Sequence, residues 1–123
     1  MGYHKSVIKR KLRRRNRSKK TSFGHPNRYR LVIYRSIKNI EVQVIDDFEG
    51  HTIVSSSSRD KQIRSSAKGT VSKTDFSKKV GKDLAVKAKN KKIKSVVLDR
   101  NGYPYHGRVK AFVESARKNG LNL

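Results

Sequence analysis

The sequence predicts an α/β fold: a four-stranded mixed sheet with two packed helices, led by a basic N-terminal arm. Three observations carry that expectation. Residues 30–56 hold three short β-branched segments joined by tight turns, the pattern of an antiparallel meander. Two later segments repeat apolar residues at helical spacing and flank a compact apolar run. The first quarter of the chain is too basic to share a core. Only 33% of the 123 residues are hydrophobic, below the usual ~45–50%, so the core is small and confined to part of the chain.

The arm comes first. Of 32 Lys and Arg, 12 fall in residues 1–30, which hold none of the 9 acidic residues; the formal net charge is +23. The densest stretch contains Lys9, Arg10, Lys11, Arg13, Arg14, Arg15, Arg17, Lys19 and Lys20, with Leu12 its one apolar member. Such a segment cannot build a core or an amphipathic helix. Arg and Lys have good helix propensity, and neither Gly nor Pro interrupts residues 3–22. An arm that is mobile when free and helical once phosphates neutralise it is the expectation. Ser22 to Asn27, with Gly24 and Pro26, predicts a hinge, so the chain divides into an arm over 1–27 and a domain over 28–123.

Residues 30–35 read as the first strand. In residues 40–46, Ile40, Val42 and Val44 alternate with Glu41 and Gln43, the signature of a half-buried strand. A turn at Asp47 to Gly50 leads to a third strand over 51–56, and the polar stretch from Ser55 to Gly69 predicts a loop. From Thr74 to Asn90, Phe76, Val80, Leu84 and Ala88 mark one face of a helix, with Ser72 or Thr74 as its cap. Residues 93–98 predict a strand covered on both faces, reached by a crossover and hence parallel to a neighbour. Val109, Phe112, Val113 and Ala116 define the last helix. Gly120 ends it and Leu121 packs back.

A charge excess of this size attracts a polyanion, and nucleic acid is the expected partner. No run of ~18 apolar residues exists to span a membrane, no apolar stretch follows the basic start to make a signal peptide, and the arm lacks the apolar face of a membrane-surface helix. Without Cys there is neither disulfide nor thiolate zinc site, and an intracellular protein is expected.

Asp99 to Arg108 is the segment richest in recognition chemistry. It lies where a strand ends and a helix begins, the edge where α/β sheets bind ligands. Tyr103 and Tyr105 can stack on bases, Arg100, His106 and Arg108 can reach phosphate oxygens, and Gly102 and Gly107 permit close approach. The plainer reading is an Asn-Gly turn with Tyr rings covering the core. A second basic and hydroxyl-rich surface joins Tyr34, Arg35, Ser36, Lys38 and Asn39 to Ser55, Ser57 and Arg59, with Arg28 and Arg30 nearby.

Catalysis finds little footing. Asp46, Asp47 and Asp99 sit near strand ends, and a metal-dependent nuclease needs clustered carboxylates. Adjacent Asp46 and Asp47 would point to opposite faces of a continuing strand, so a strand-end turn and pairing with Arg explain these acids better. His4, His25, His51 and His106 lack ligand spacing, and neither a nucleophile elbow nor a phosphate loop is present. No catalytic residue, metal, cofactor or small-molecule substrate is expected. The alternatives to an RNA-binding structural protein are a metal-dependent nucleic-acid hydrolase on a similar sheet and a DNA-compacting protein.

Arg30-Leu-Val-Ile-Tyr-Arg-Ser36, Gln43-Val-Ile-Asp-Asp47, Gly50-His-Thr-Ile-Val-Ser55, Val80-Gly-Lys-Asp-Leu-Ala85 and Asp99-Arg-Asn-Gly-Tyr-Pro-Tyr-His-Gly-Arg-Val-Lys-Ala111 occur in order along nearly the whole chain. Together they resemble the bacterial-type large-subunit ribosomal protein eighteen, a 5S rRNA-binding family. The resemblance implies a sheet in the order 3-2-1-4. It implies attachment of 5S rRNA to large-subunit rRNA in the central protuberance, contact with neighbouring central-protuberance proteins, and residence in the cytoplasmic ribosome. Departures are Ile37 and Glu41, where the family has Asn and an aromatic, Asn101, where it has Gly, and the hinge sequence from Phe23 to Tyr29.

Overall fold

The computed structural model describes residues 2–22, 27–66, 69 and 71–123. The element order is α1 (Gly2–Ser22), β1 (Tyr29–Arg35), β2 (Ile40–Asp46), β3 (His51–Ser57), α2 (Lys61–Ser65), α3 (Lys73–Asn90), β4 (Val96–Asp99) and α4 (Arg108–Lys118). The strands form one sheet ordered β3-β2-β1-β4. β1 pairs antiparallel with β2, and β2 with β3, while β4 runs parallel to β1.

Alternation along the strands sets the two faces. Leu31, Ile33, Ile40, Val42, Val44 and Val54 point to one side and are buried. Helices α3 and α4 close over that side with Val80, Leu84, Ala88, Val109, Phe112, Val113 and Ala116. Each large side chain sealed there contributes roughly 1.5–3 kcal/mol relative to exposure. The two helices approach closely at Gly81, where an added Cβ would meet the Phe112 carbonyl oxygen at 2.7 Å and Ser115 Cβ at 2.9 Å. Ser115 Oγ donates to the Lys78 carbonyl at 2.6 Å across the same crossing.

The helix ends obey local chemistry. Ser72 caps α3: its Oγ accepts from the Asp75 N–H at 3.1 Å and donates to Asp75 Oδ2 at 2.9 Å. Both α3 and α4 stop in Schellman geometry, with the Ile93 N–H bonded to the Ala88 carbonyl and the Leu121 N–H to the Ala116 carbonyl. The left-handed residue of that motif is Gly120 in α4 but Lys92, at φ 61°, in α3.

Both sheet edges are partly occupied. Lys87 Nζ donates to the Ser55 carbonyl of β3 at 2.9 Å and pairs with Asp83 at 3.1 Å. A register shift between Val44 and Ile45 leaves Ile53 unpaired and marks a bulge in β3 opposite β2. At the other edge the Val96 N–H bonds to the Asn122 carbonyl, and Ser95 bridges Asn122 in parallel.

Two features differ from the sequence expectation. The segment expected as a loop after β3 contains α2, a single helical turn and a half held down by Ile63, its one buried residue. β4 starts at Val96 rather than residue 93, because Ile93 is consumed in closing α3. The arm forms the helix α1, which lies against β4. The hinge residues Phe23 to Pro26 lie outside the described residues.

Candidate nucleic-acid interface

The site is assembled around the turn that follows β4. Asn101 and Gly102 both take positive φ, 55° and 82°, and the Tyr103 N–H bonds to the Arg100 carbonyl at 3.0 Å. That is a turn with two left-handed central residues, a conformation Asn adopts more readily than other side chains. Asp99 Oδ1 secures it by accepting the Asn101 N–H at 2.9 Å.

Asp99 is 2% exposed and is the hub of a polar network on the face opposite the core. Arg30 Nη1 donates to Asp99 Oδ2 at 2.7 Å, while Arg30 Nε and Nη2 hold Asp47 at 3.0 Å each. The hydrogen bonds Arg30 donates to Asp47, and then the one it donates to Asp99, raise the Arg30 pKa against the opposing effect of burial. Ser18 of α1 completes the hub, its Oγ donating to Asp99 Oδ1 at 2.7 Å. The helix backbone passes close to the turn, so a Cβ at Gly102 would meet the Arg15 nitrogen at 3.0 Å and Arg14 carbons at 3.2 and 3.3 Å. Gly102 does permit a close approach, but the approaching group is the arm.

Docking α1 here brings cations together. Arg14, Arg17 and Arg100 line one cleft of about 620 Å³ with Ser18, Leu98, Gly102 and Tyr103. On the other side of the turn, Lys11, Arg14, Arg15, Tyr34 and Arg35 line a second cleft with Asn101 and Tyr103. The Arg35 guanidinium sits 4.8 Å above the Tyr103 ring. Tyr103 Oη accepts the Arg35 N–H and donates to the Arg35 carbonyl, both at 3.2 Å. Arg108, at the start of α4, faces Arg35. Burial first, and then that like charge, lower its pKa. Its Nη1 is buried and has no hydrogen-bond partner among the described residues.

The sequence-derived candidates therefore separate. Lys9, Arg10, Lys11, Arg13, Arg14, Arg15, Arg17 and Lys19 are exposed on α1; the Lys20 side chain lies outside the described residues. Arg28, Lys38, Tyr34, Arg100, Tyr105, His106 and Gly107 face solvent, and Arg35 and Arg108 are half-buried beside Tyr103. Other candidates serve the fold. Arg30 faces two carboxylates. Ser36 Oγ and Asn39 close the β1–β2 turn. Ser57 bonds Asp60 and Glu41, and Arg59 pairs with Glu41 at 3.7 Å. Ser55 is exposed, its carbonyl taken by Lys87. Tyr103 covers the core as the plainer reading has it, whereas Tyr105 two residues on does not.

The carboxylates weighed for a nuclease are dispersed in purpose. Asp46 Oδ1 accepts the Phe48 and Glu49 N–H groups and closes the β2–β3 turn, while Asp47 and Asp99 neutralise Arg30. Asp46, Glu49 and His51 approach one another on that turn, with His51 Nδ1 3.5 Å from Glu49. The Ser18–Asp99 contact escaped sequence reasoning, and no local pattern signals a bond spanning 81 residues.

The family described as "Ribosomal L18 of archaea, bacteria, mitoch. and chloroplast" matches residues 5–123. The chain belongs to the ribosomal L18 family. The large ribosomal subunit protein uL18 of Staphylococcus haemolyticus is 49% identical over 113 residues, 92% of each chain. The uL18 of Chloroherpeton thalassium is 49% identical over 119 residues, covering 97% of this chain and 98% of that one. The uL18 of Caldicellulosiruptor saccharolyticus is 45% identical over 125 residues, the full length of both. Membership in the L18 family makes this chain a large-subunit ribosomal protein rather than an enzyme, and the hydrolase and DNA-compaction alternatives fall away with it.

Proposed function

We propose that this large-subunit ribosomal protein binds 5S rRNA and helps attach it to large-subunit rRNA in the central protuberance, beside neighbouring ribosomal proteins. The observation that carries the reading is the convergence of Arg14 and Arg17 of α1 with Arg100 of the β4 turn on one cleft. Arm and domain then present a single cationic surface. The arm supplies affinity by phosphate neutralisation. The turn residues supply discrimination: Tyr105 and His106 are exposed for stacking, and a phosphate between Arg35 and Arg108 would pair the unpartnered Arg108 Nη1 and relieve the repulsion between the two guanidinium groups.

The test is filter binding of the full chain to 5S rRNA, an unrelated folded RNA and duplex DNA across a salt series. If ~8 phosphates are contacted, the log–log slope is roughly −6 to −7. The Tyr105→Ala, Arg108→Ala double variant should lose more affinity for 5S rRNA than for the unrelated RNA. Equal losses on both, or equal wild-type affinity for all three nucleic acids, would refute the reading.

A further inference from the structure

The arm and the β4 turn lie on the open face of the sheet, because Arg30 and Asp99 alternate with Leu31, which is buried in the core, and Leu98, which packs half-buried against it. The other side of the molecule is the outer surface of the α3–α4 pair, and it too is cationic. Lys78, Lys79, Lys82 and Lys118 line a cleft between these helices, together with Ala111, Glu114, Ser115 and Asn119. Lys89 and Lys94 line the adjoining cleft, which shares Asn119. Lys79 is tied to the end of α2 through Ser66. Among the described residues, Lys78, Lys82 and Lys118 take part in no ion pair, and all three are exposed. The one carboxylate in the cleft, Glu114, lies 3.9 Å from Lys110.

Lys78 and Lys82 are one helical turn apart on α3 and stand beside Lys118 on α4, so three positive charges are held close without compensation. The backbone beneath them is rigid, since Gly81 and the Ser115–Lys78 hydrogen bond lock the crossing. Fixed like charges along a groove create a field that favours a continuous polyanion over a discrete acidic side chain.

We infer that the outer α3–α4 groove, through Lys78, Lys82 and Lys118, is a second RNA-backbone site that grips a segment of large-subunit rRNA while the arm and β4 turn hold the first RNA. This rests on the proposed function for the identity of the first RNA, but not for the site itself. The domain is then a spacer with one RNA on each face. The contacts are to phosphates, so this face adds affinity without base selection.

The test uses the full chain with Lys78, Lys82 and Lys118 all replaced by Gln. Wild type and variant are each bound to 5S rRNA, and the complexes are titrated with a large-subunit rRNA transcript over a salt series. Removal of three phosphate contacts should flatten the log–log slope of this second step by roughly 2–3 and weaken it about a hundredfold near ~0.1 M salt, with 5S rRNA binding within about twofold of wild type. The Lys→Arg triple variant should restore the second step, and equal melting temperatures should show that both variants fold. An unchanged second step would overturn the inference. An equal loss in both steps would also overturn it, by making the groove part of the first interface. If wild type shows no preference for 5S rRNA, the proposed function fails. The same variants titrated with the transcript alone then decide the groove.

Discussion

Asp99→Asn is the substitution that most directly probes how the arm and the domain are joined. Asparagine fits the same space but carries one acceptor oxygen and no charge. Wild-type Asp99 accepts from Ser18 and Asn101 through one oxygen and from Arg30 through the other. In the variant either the amide meets Arg30, donor against donor, or it turns, reverses its bond with the Ser18 hydroxyl and abandons the Asn101 N–H. Breaking a buried ion pair from one side costs about 3–5 kcal/mol. Arg30 retains Asp47, which lowers the figure to that of one charged hydrogen bond with a stranded donor, ~2–3 kcal/mol. For a domain of this size each kcal/mol shifts Tm by roughly 4–8 °C, so a fall of about 10–20 °C is expected. Circular dichroism melts of wild type and variant at one salt concentration measure it. A drop of less than ~3 °C would show that the network is solvated and would refute the account of how α1 is held.

Two further substitutions test the packing and the helix ends. Gly81→Ala gains up to ~1 kcal/mol of helix propensity but drives a methyl into the Phe112 carbonyl and Ser115 Cβ, neither of which can swing aside; overpacking costs about 1–3 kcal/mol, so urea unfolding should show a net loss, and a stabilised variant would contradict the close crossing. Lys92→Gly should raise stability by roughly 0.5–1 kcal/mol in the same assay, because a left-handed residue ending α3 no longer carries a Cβ; a destabilised variant would mean that the Lys92 side chain makes contacts outweighing the strain.

Much of the fold was legible because it is written in periodicity. Ile40, Val42 and Val44 fix β2, and Val109, Phe112, Val113 and Ala116 fix α4, since each set shares one face of its element. The sequence lost the thread where periodicity is too short to register. One buried residue, Ile63, cannot announce α2. Ile93 looks like the start of a strand because an apolar residue closing a Schellman motif and one entering a sheet are chemically alike. At the candidate interface, the identities of the exposed arm cations, Tyr105 and His106 were readable from composition and position. The internal use of Arg30 was not, because its two acids stand 17 and 69 residues away. Lys78 and Lys82 form a charged row opposite the apolar stripe of α3, but the sequence alone does not set them beside Lys118 of α4.

The guarded margins of the sheet bear on the life of the chain before it joins a particle. A ribosomal protein is made apart from its RNA, and a β-sheet with a bare margin invites a sister copy to extend it. Here an ammonium group sits on the Ser55 carbonyl, a bulge interrupts the neighbouring ladder, and the C-terminal residues sheathe the start of β4. Edge-to-edge pairing of two copies is disfavoured by each of these contacts, and none of them draws on the cationic surfaces of the arm and the β4 turn.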